Sequence, residues 1–498
     1  MIWTLDEPSQ LDAVWQLIEK KYSLEQSASG TTVLQVLDDF EHQILRSGAV
    51  LTRQDEHYRL TTSNRDFDMQ RVEPFLFAHD LDAGEFQQQL GKLIGVRKLQ
   101  LVASERLQTS NVTIRDKETK LVLRLEVMKG EDCCFVKLRA IRGYEKVAHR
   151  VRSLLVEQGA KLDERPLARL LLKASNFSLS TYTAKPEFAL NPMMPSREAV
   201  RSMVSGMLSI ARENEAGVIN DGDDTEYLHD YRVCLRKARS LISLLKEVFP
   251  AEVQQDLKQR LGDVARRTNE LRDLDVYLLE QDRYAKLIPA SLGSGIPVMF
   301  EDFKKTHEKA YSSVCRWFNS KPYDQEMQRL LAFFSAADDV PVTDASEQPI
   351  KSLVTRKILK RYRNICKLGL AITPETQDAE VHELRIEAKK LRYLLEFFAG
   401  LYQARKIKQL VSRLKVLQDN LGRFNDFSVQ QDSLNTYLQG HQTNAEMAKS
   451  IGALLMVLAQ KQTEERSHVE ERFAGFANQV TANLVHELFD QVSVGASK

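Results

Sequence analysis

Long apolar runs are missing from this 498-residue chain: no window approaches 18 consecutive apolar residues, so no membrane-spanning helix and no membrane partner are expected. The opening Met1-Ile2-Trp3-Thr4-Leu5-Asp6-Glu7 lacks the basic start and apolar run of a secretory signal, which makes a cytoplasmic address the expectation. Cysteine is scarce as well. The five present (Cys133, Cys134, Cys234, Cys315 and Cys366) are odd in number and form no CxxC pair, so neither a disulfide framework nor a zinc site is indicated and buried thiols are expected. No glycine-rich phosphate loop appears. His382 and Glu387 lie near each other in sequence but lack the second histidine of a zinc-protease helix. No Ser/His/Asp or Cys/His constellation stands out, and no metal or other cofactor is expected.

What the chain does have is enough apolar residue (43%) for globular cores and enough charge (28%) for a soluble surface. Its length is too great for one core and suggests two to four domains. The net charge of +1 conceals a strong division. Between Lys351 and Lys415 there are sixteen Lys or Arg against six Asp or Glu, a local net of +10, so the remainder of the chain carries −9. Such asymmetry points to a local anion site in an otherwise acidic protein.

Residues 1 to about 175 read as mixed strand and helix. The runs at 31–37 and 120–128 have β character, and Leu121, Leu123, Leu125 and Val127 alternate with Val122, Arg124 and Glu126 as in an antiparallel strand. Helical patches fall at 11–20 and 144–158. From Asn176 to Ser196 the periodicity lapses into Ser, Thr and Pro, which reads as a linker. Beyond it nearly every segment follows a 3.6-residue period, with breaks at 213–224, 291–297 and 336–349. The expected organisation is α+β: an antiparallel β-rich domain over 1–185, a linker over 186–196, and an all-helical domain over 197–498 with halves 197–335 and 350–498.

The helical region contains a duplication. The stretch beginning His229, Arg232, Arg236, Lys237, Arg239 aligns without a gap with His382, Arg385, Lys389, Lys390, Arg392 at an offset of 153. The same offset matches Leu257, Arg260 and Leu261 to Leu410, Arg413 and Leu414, and Asp273 and Val276 to Asp426 and Val429. Constant spacing implies matching helix lengths. At roughly 100° per residue, His229, Arg232, Arg236 and Arg239 fall at about 0°, 300°, 340° and 280°, one stripe. Tyr231, Leu235, Ala238, Leu241, Ile242 and Leu245 occupy the opposite arc, as do Leu384, Ala388, Leu391, Leu394, Leu395 and Phe398 in the second copy. Each helix therefore has an apolar back and a cationic front. No acids at i±4 are read as relieving the stripe, and two copies in one register argue against a mere solvated charge run. Facing each other across a pseudo-twofold, the stripes would line one groove or channel. A further stripe of Arg356, Lys360, Arg363 and Lys367 has no counterpart around Met203–Ala211, so the second half is expected to contribute more affinity.

These residues resemble the conserved histidine α-helical domain, the CHAD family, in both histidine-headed helices and in the later Arg272-Asp273-Leu274-Asp275 and Leu421-Gly422-Arg423-Phe424-Asn425-Asp426 segments. The resemblance covers roughly 196–498. It implies two four-helix bundles related by a pseudo-twofold, a basic channel holding inorganic polyphosphate, association with polyphosphate granules, and a binding module without catalysis. The N-terminal region more faintly resembles the CYTH or triphosphate tunnel fold, through 38–40, 45–53 and Phe135 to Lys146. Active members open with an ExExK strand, whereas this chain opens Ile2-Trp3-Thr4-Leu5-Asp6-Glu7, so a degenerate, non-catalytic tunnel fold is expected.

A polyphosphate chain presents a backbone of charges without bases, to be held by cations with a salt-dependent drive. Guanidinium forks suit bidentate phosphate contacts and lysine acts as a point charge, roles assigned to Arg232, Arg236, Lys237, Arg239, Arg385, Lys389, Lys390 and Arg392. The stripe of Arg356, Lys360 and Arg363 joins them. His229 and His382 either donate to phosphate or serve as hydrogen-bonded structural residues. Asp273 and Asp426 either hold the basic groups in position by ion pairing or act as caps and surface acids. Tyr393, Tyr362 and Trp317 are read as core. Two other functions remain open: metal-dependent triphosphate or polyphosphate hydrolysis, should Glu105, Glu126 and Asp132 converge in the first domain, and nucleic-acid binding, weakened by the shortage of aromatics along the stripe. Protein partners of the acidic remainder stay unspecified.

Overall fold

The computed structural model describes residues 2–27, 30–131, 134–163, 167–174, 176–335, 342–440 and 444–489. The chain divides into two compact units, Met1–Tyr182 and Thr183–Lys498. Met1, Asp132, Cys133 and residues 336–341 of the break read at 336–349 lie outside the described residues.

The first unit contains, in chain order, β1 (Ile2–Leu5), α1 (Pro8–Glu19), β2 (Ser23–Gln26), β3 (Gly30–Asp38), α2 (Gln43–Arg46), β4 (Val50–Gln54), β5 (His57–Thr61), β6 (Asp66–Gln70), α3 (Glu85–Ile94), β7 (Gln100–Arg115), β8 (Leu121–Lys129), β9 (Cys134–Ala140), α4 (Glu145–Glu157), β10 (Lys161–Asp163) and α5 (Leu167–Ala174). The strands pair antiparallel in the order β10-β1-β9-β8-β7-β3-β4-β5-β6, with β2 also on β7. The path is open: β10 and β6 end it and do not pair with each other among the described residues. Pro8 opens α1 at a position where its missing N–H costs nothing. Leu11, Val14 and Ile18 then recur at helical spacing and meet Val112, Ile114, Leu123, Leu125, Val127 and the Val151 and Leu155 side chains of α4. A second cluster joins Leu170 and Leu171 of α5 to Ile2, Val36, Leu107 and Phe135. In β9, Cys134 and Val136 belong to the first cluster and Phe135 to the second, which is the period-2 geometry of a sheet covered by helices on both faces.

The second unit is helical. Its first half runs α6 (Ser196–Asn220), α7 (Thr225–Leu244), α8 (Ala251–Arg266), α9 (Asn269–Leu279), α10 (Gln281–Leu287), α11 (Ile296–Phe318) and α12 (Lys321–Ser335); its second runs α13 (Ile350–Leu370), α14 (Asp378–Phe397), α15 (Ala404–Gly440), α16 (Ala445–Ser467), α17 (Val469–Phe476) and α18 (Gln479–Phe489). α7 and α14, and α8 and α15, begin at the 153-residue offset of the repeat. Each half therefore has more than four helices. The N-caps of α6 and α13, Pro195 and Pro349, form an antiparallel bridge, flanked by Ser196 N–H to Gln348 O and Ile350 N–H to Met194 O, both 2.9 Å. The halves meet again at Gly295, whose N–H donates to Ser450 Oγ at 2.9 Å. A Cβ there would stand 2.5 Å from Met447 Cα, so only glycine permits this approach.

Two readings of the sequence change here. The acidic stretch from Glu213 does not interrupt α6, which continues to Asn220. One of its acids is held within the bundle: Glu215 pairs with Arg212 at 3.1 Å and accepts from the Tyr323 hydroxyl. Helix lengths do not match either, since α15 is continuous over 37 residues where the first half breaks between α8 and α9. At the break, the Ala265 carbonyl accepts from Thr268 N–H, Thr268 Oγ1 and Arg232 Nη1. Those donors compete with continuation of the helix. The equivalent of Thr268 is Leu421, which has no such donor.

Candidate functional site

α7 starts at Asp224, whose side chain accepts from Glu226 N–H at 3.0 Å and caps the first turn. From there Tyr231, Leu235, Ala238, Leu241, Ile242 and Leu245 are fully buried, and in α14 Leu384, Ala388, Leu391, Leu394, Leu395 and Phe398 are no more than 1% exposed. These are the apolar arcs read from the periodicity. With the backs fixed, the cationic fronts are fixed too, and α7 and α14 pack against each other.

That packing brings Arg236 close enough to Lys389 to disfavour its charge. The two are equivalent positions of the repeat, so like charges meet where the repeated helices pack together. The Lys389 ammonium is held below the usual lysine range, first by desolvation, then by Arg236 and Arg385, with Asp426 opposing. Its side chain as a whole stays exposed by area, with the ammonium 5.9 Å from the Tyr393 ring centroid. Tyr393 is thus half-buried beside the cations and is not simply core. Arg236 and Arg239 are exposed, and neither they nor Lys237 form an ion pair among the described residues. Arg239 lies over α8, where a Cβ on Gly262 would be 3.5 Å from its guanidinium carbon. At the equivalent position the second half has the exposed Lys415.

Other predicted residues are already engaged. Arg232 is half-buried, and its Nη1 donates to Ala265 O at 3.0 Å, Thr268 Oγ1 at 2.7 Å and Asn269 Oδ1 at 2.8 Å. Burial pushes this guanidinium below its ordinary range while Asp273 pulls it back. Arg385 stands 3.8 Å from Asp426. Asp273 and Asp426 therefore act on Arg232 and Arg385 in parallel fashion. Burial raises the Asp273 carboxyl against the pull of Arg232 and Arg272.

The α14 stripe is less bare than its sequence suggested. Arg392 donates from Nε to Glu396 at 2.6 Å, an i,i+4 pair, and from Nη1 to Gln418 at 3.3 Å. Lys390 leaves the stripe: one step past Lys389 turns it about 100° around the helix, and its ammonium bonds Glu387 at 2.8 Å. Glu387 also receives two bonds from Arg361, at 2.9 and 2.7 Å, which ties α13 to α14. Arg356, Lys360, Arg363 and Lys367 are exposed on α13; Arg356 bonds Gln348, and no described contact joins this stripe to α7 or α14.

The histidines have partners at equivalent positions. Arg272 Nη2 donates to His229 Nδ1 at 2.9 Å, and His382 Nδ1 lies 2.8 Å from Asn425 Oδ1. Arg272 and Asn425 are themselves 153 residues apart. Both lay in the recognised segments, and comparing the repeats position by position would have marked them; Thr268, Asn269, Gln418 and Lys415 carried no such signal.

In the first unit, two of the three carboxylates considered for hydrolysis have partners of their own among the described residues. Glu105 accepts from Glu131 N–H at 2.9 Å, Glu126 lies 3.6 Å from both Lys137 and Arg139, and Asp132 is outside the described residues. Among the described residues no group of three His, Cys, Asp or Glu could hold a metal ion. No described helix is long and apolar enough to cross a membrane.

The profile of one family, described as the CHAD domain, matches residues 202–435, a span holding both histidine-headed helices and the Asp273 and Asp426 segments. This part of the chain is a CHAD domain. Among solved structures, the CHAD domain from the plant Ricinus communis is 23% identical, with a TM-score of 0.48, covering 59% of this chain and 96% of that one. PptA from Streptomyces chartreusis is 15% identical, with a TM-score of 0.39, covering 58% and 100%. No curated protein matches the chain. Outside the CHAD domain, the first unit stands as an antiparallel β domain with helices.

Proposed function

We propose that the CHAD domain binds inorganic polyphosphate along the joined faces of α7 and α14. The observation that carries this reading is the crowding at Lys389: its repeat-related cation Arg236 and its helix neighbour Arg385 both raise the cost of its charge. Folding alone gains nothing from that arrangement, and a polyanion relieves it. Arg236 and Arg239 supply guanidinium forks without acid partners among the described residues, Lys389 and Lys415 supply point charges, and Arg232 and Arg385 are oriented from α8, α9 and α15. At about 1.5–3 kcal/mol per charge-assisted contact, a few simultaneous phosphates suffice for submicromolar binding after association costs.

A base-free polymer suits this surface better than single-stranded RNA. Base stacking needs open aromatic platforms, and Tyr393, the aromatic beside the cations, has Lys389 over its ring and Phe397 stacked 5.6 Å away. Recruitment to polyphosphate granules follows from the same chemistry. Competition tests the reading: unlabelled long-chain polyphosphate should displace a labelled polyphosphate probe at far lower phosphate concentration than single-stranded RNA of equal charge. Preferential displacement by RNA, or failure of the probe to bind, would refute it.

A further inference from the structure

The cationic stripe of α13 takes no part in the face that α7 and α14 share. Ile350–Leu370 holds seven Lys or Arg and no Asp or Glu. Three of the seven are engaged within the bundle: Lys357 pairs with Glu247, Arg361 pairs with Glu387, and the Lys351 ammonium stands 5.7 Å from the Tyr402 ring centroid. The other four, Arg356, Lys360, Arg363 and Lys367, are exposed, and none of them forms an ion pair among the described residues. Folding does not call for this charge. The N-caps Pro195 and Pro349 are 154 residues apart, and the same step leads from the stripe to Ser202, Gly206, Ser209 and Glu213 of α6, exposed or half-exposed positions without a cation. A solvated face at this place in the bundle therefore forms without cations, and the four on α13 are left for something outside it.

The stripe also faces away from the α7 and α14 surface. At about 100° per residue, Glu387 lies about 160° around α14 from Lys389, so α13, joined to Glu387 through Arg361, sits on the far side of α14 from α7. On α13 the stripe lies about 200–260° around from Arg361 and points outward again. We infer that this stripe is a second polyphosphate-binding face, set against the first, so that one CHAD domain bridges two polymer chains or two distant stretches of one. The inference rests on the polyphosphate reading of α7 and α14. Charge selects the occupant: four cations in a line of about 16 Å match a thread of closely spaced anions. A membrane surface would need an apolar face, and the large apolar side chain that α13 exposes is Leu370 at its end. A folded protein partner would need an apolar centre for the same reason. Single-stranded RNA would need open rings to stack on, whereas Tyr362 is half-buried and packs edge-on against Phe476 at 6.0 Å.

A sandwich assay on the full-length protein tests this. Protein is loaded on immobilised long-chain polyphosphate, the excess is washed away, and fluorescently labelled polyphosphate is added. The wild type should retain the labelled polymer. The combined variant Lys360→Gln, Arg363→Gln and Lys367→Gln changes exposed side chains only. It should load as the wild type does and retain at least about tenfold less label, the scale of one or more lost charge-assisted contacts. Unchanged retention in this variant overturns the inference. So does a loss of loading as large as the loss of retention, which would put the stripe in the first face. Labelled single-stranded RNA and polyglutamate of equal charge should be retained less than polyphosphate by the loaded wild type; stronger retention of either overturns the choice of occupant. Wild-type protein that loads but retains no label removes the second face and leaves the first standing, whereas wild-type protein that does not load at all removes the proposed function and this inference with it.

Discussion

Replacing Lys389 by methionine should stabilise the unliganded protein and weaken its hold on a polyanion. Two like charges, Arg236 and Arg385, and one opposite charge, Asp426, act on this ammonium, and desolvation adds to the repulsion. The side chain is exposed, so each pairwise effect is screened and worth about 0.2–1 kcal/mol. Two repulsions less one attraction leave a net gain of about 0.2–1 kcal/mol on neutralisation. Methionine keeps the length that lies beside Tyr393. For a helical unit of this size the gain corresponds to a Tm rise of about 0.3–1.5 °C. Binding should move the other way, since the lost phosphate contact is worth about 1.5–3 kcal/mol, or roughly ten- to hundredfold in Kd. Differential scanning fluorimetry with and without polyphosphate, beside fluorescence anisotropy with a labelled polymer, reads both effects. The stability gain should shrink in high salt as the repulsion is screened. A lower Tm for unliganded Lys389→Met together with unaltered affinity would refute the reasoning.

Arg232→Met should destabilise the helical unit by about 1–3 kcal/mol in urea denaturation, because three acceptors lose their donor. Arg385→Met should cost less than about 0.5 kcal/mol, its acid partner being exposed and 3.8 Å away. In the first unit, burial raises the Asp39 carboxyl to about 7 from its ordinary 3.8. The folded state therefore holds a proton that the unfolded chain releases between about pH 4 and 7, and stability should fall as pH rises through that window, by up to about 4 kcal/mol. Asp39→Asn should flatten the trend, leaving a smaller slope from Asp38, which burial shifts in the same direction; tryptophan fluorescence of Trp3 and Trp15 in a Trp317→Phe background follows this unit by urea titration. Gly295→Ala should lower the Tm of the helical unit, since the new methyl meets the backbone of Met447, and it should leave the far-UV spectrum of α7 and α14 intact.

The faces of α7 and α14 were legible because burial at a 3.6-residue period and duplication in register both constrain them. What faces those helices from elsewhere was not. Lys390 and Lys389 are neighbours in the chain, but a turn of about 100° sends one to Glu387 and Arg361 and the other to Arg236. Glu396, four residues beyond Arg392, is an i,i+4 partner that the sequence holds, so the stripe is less bare than its cations alone suggest. The break between α8 and α9 depends on a side chain from α7 reaching the Ala265 carbonyl, a long-range event that local periodicity does not encode. The acids from Glu213 onward suggested a break for the same reason in reverse: one of them, Glu215, has partners in Arg212 within the helix and Tyr323 over a hundred residues away, which make its place in α6 tolerable. In the first unit, alternation in β8 reported the strand, but burial in β8 does not alternate strictly, since the neighbours Val122 and Leu123 are both buried and belong to one core cluster. Sheet order and the helices on each face come only from pairing.

The most direct measurement is the Kd for long-chain polyphosphate as a function of salt, for the wild type and for Arg236→Glu combined with Lys389→Glu, with circular dichroism as the control of fold. Removing two cations that meet across the repeat should weaken binding at least about a hundredfold and flatten the plot of log K against log salt by about 1.5 or more. An unchanged slope and affinity in a folded double variant would contradict the account.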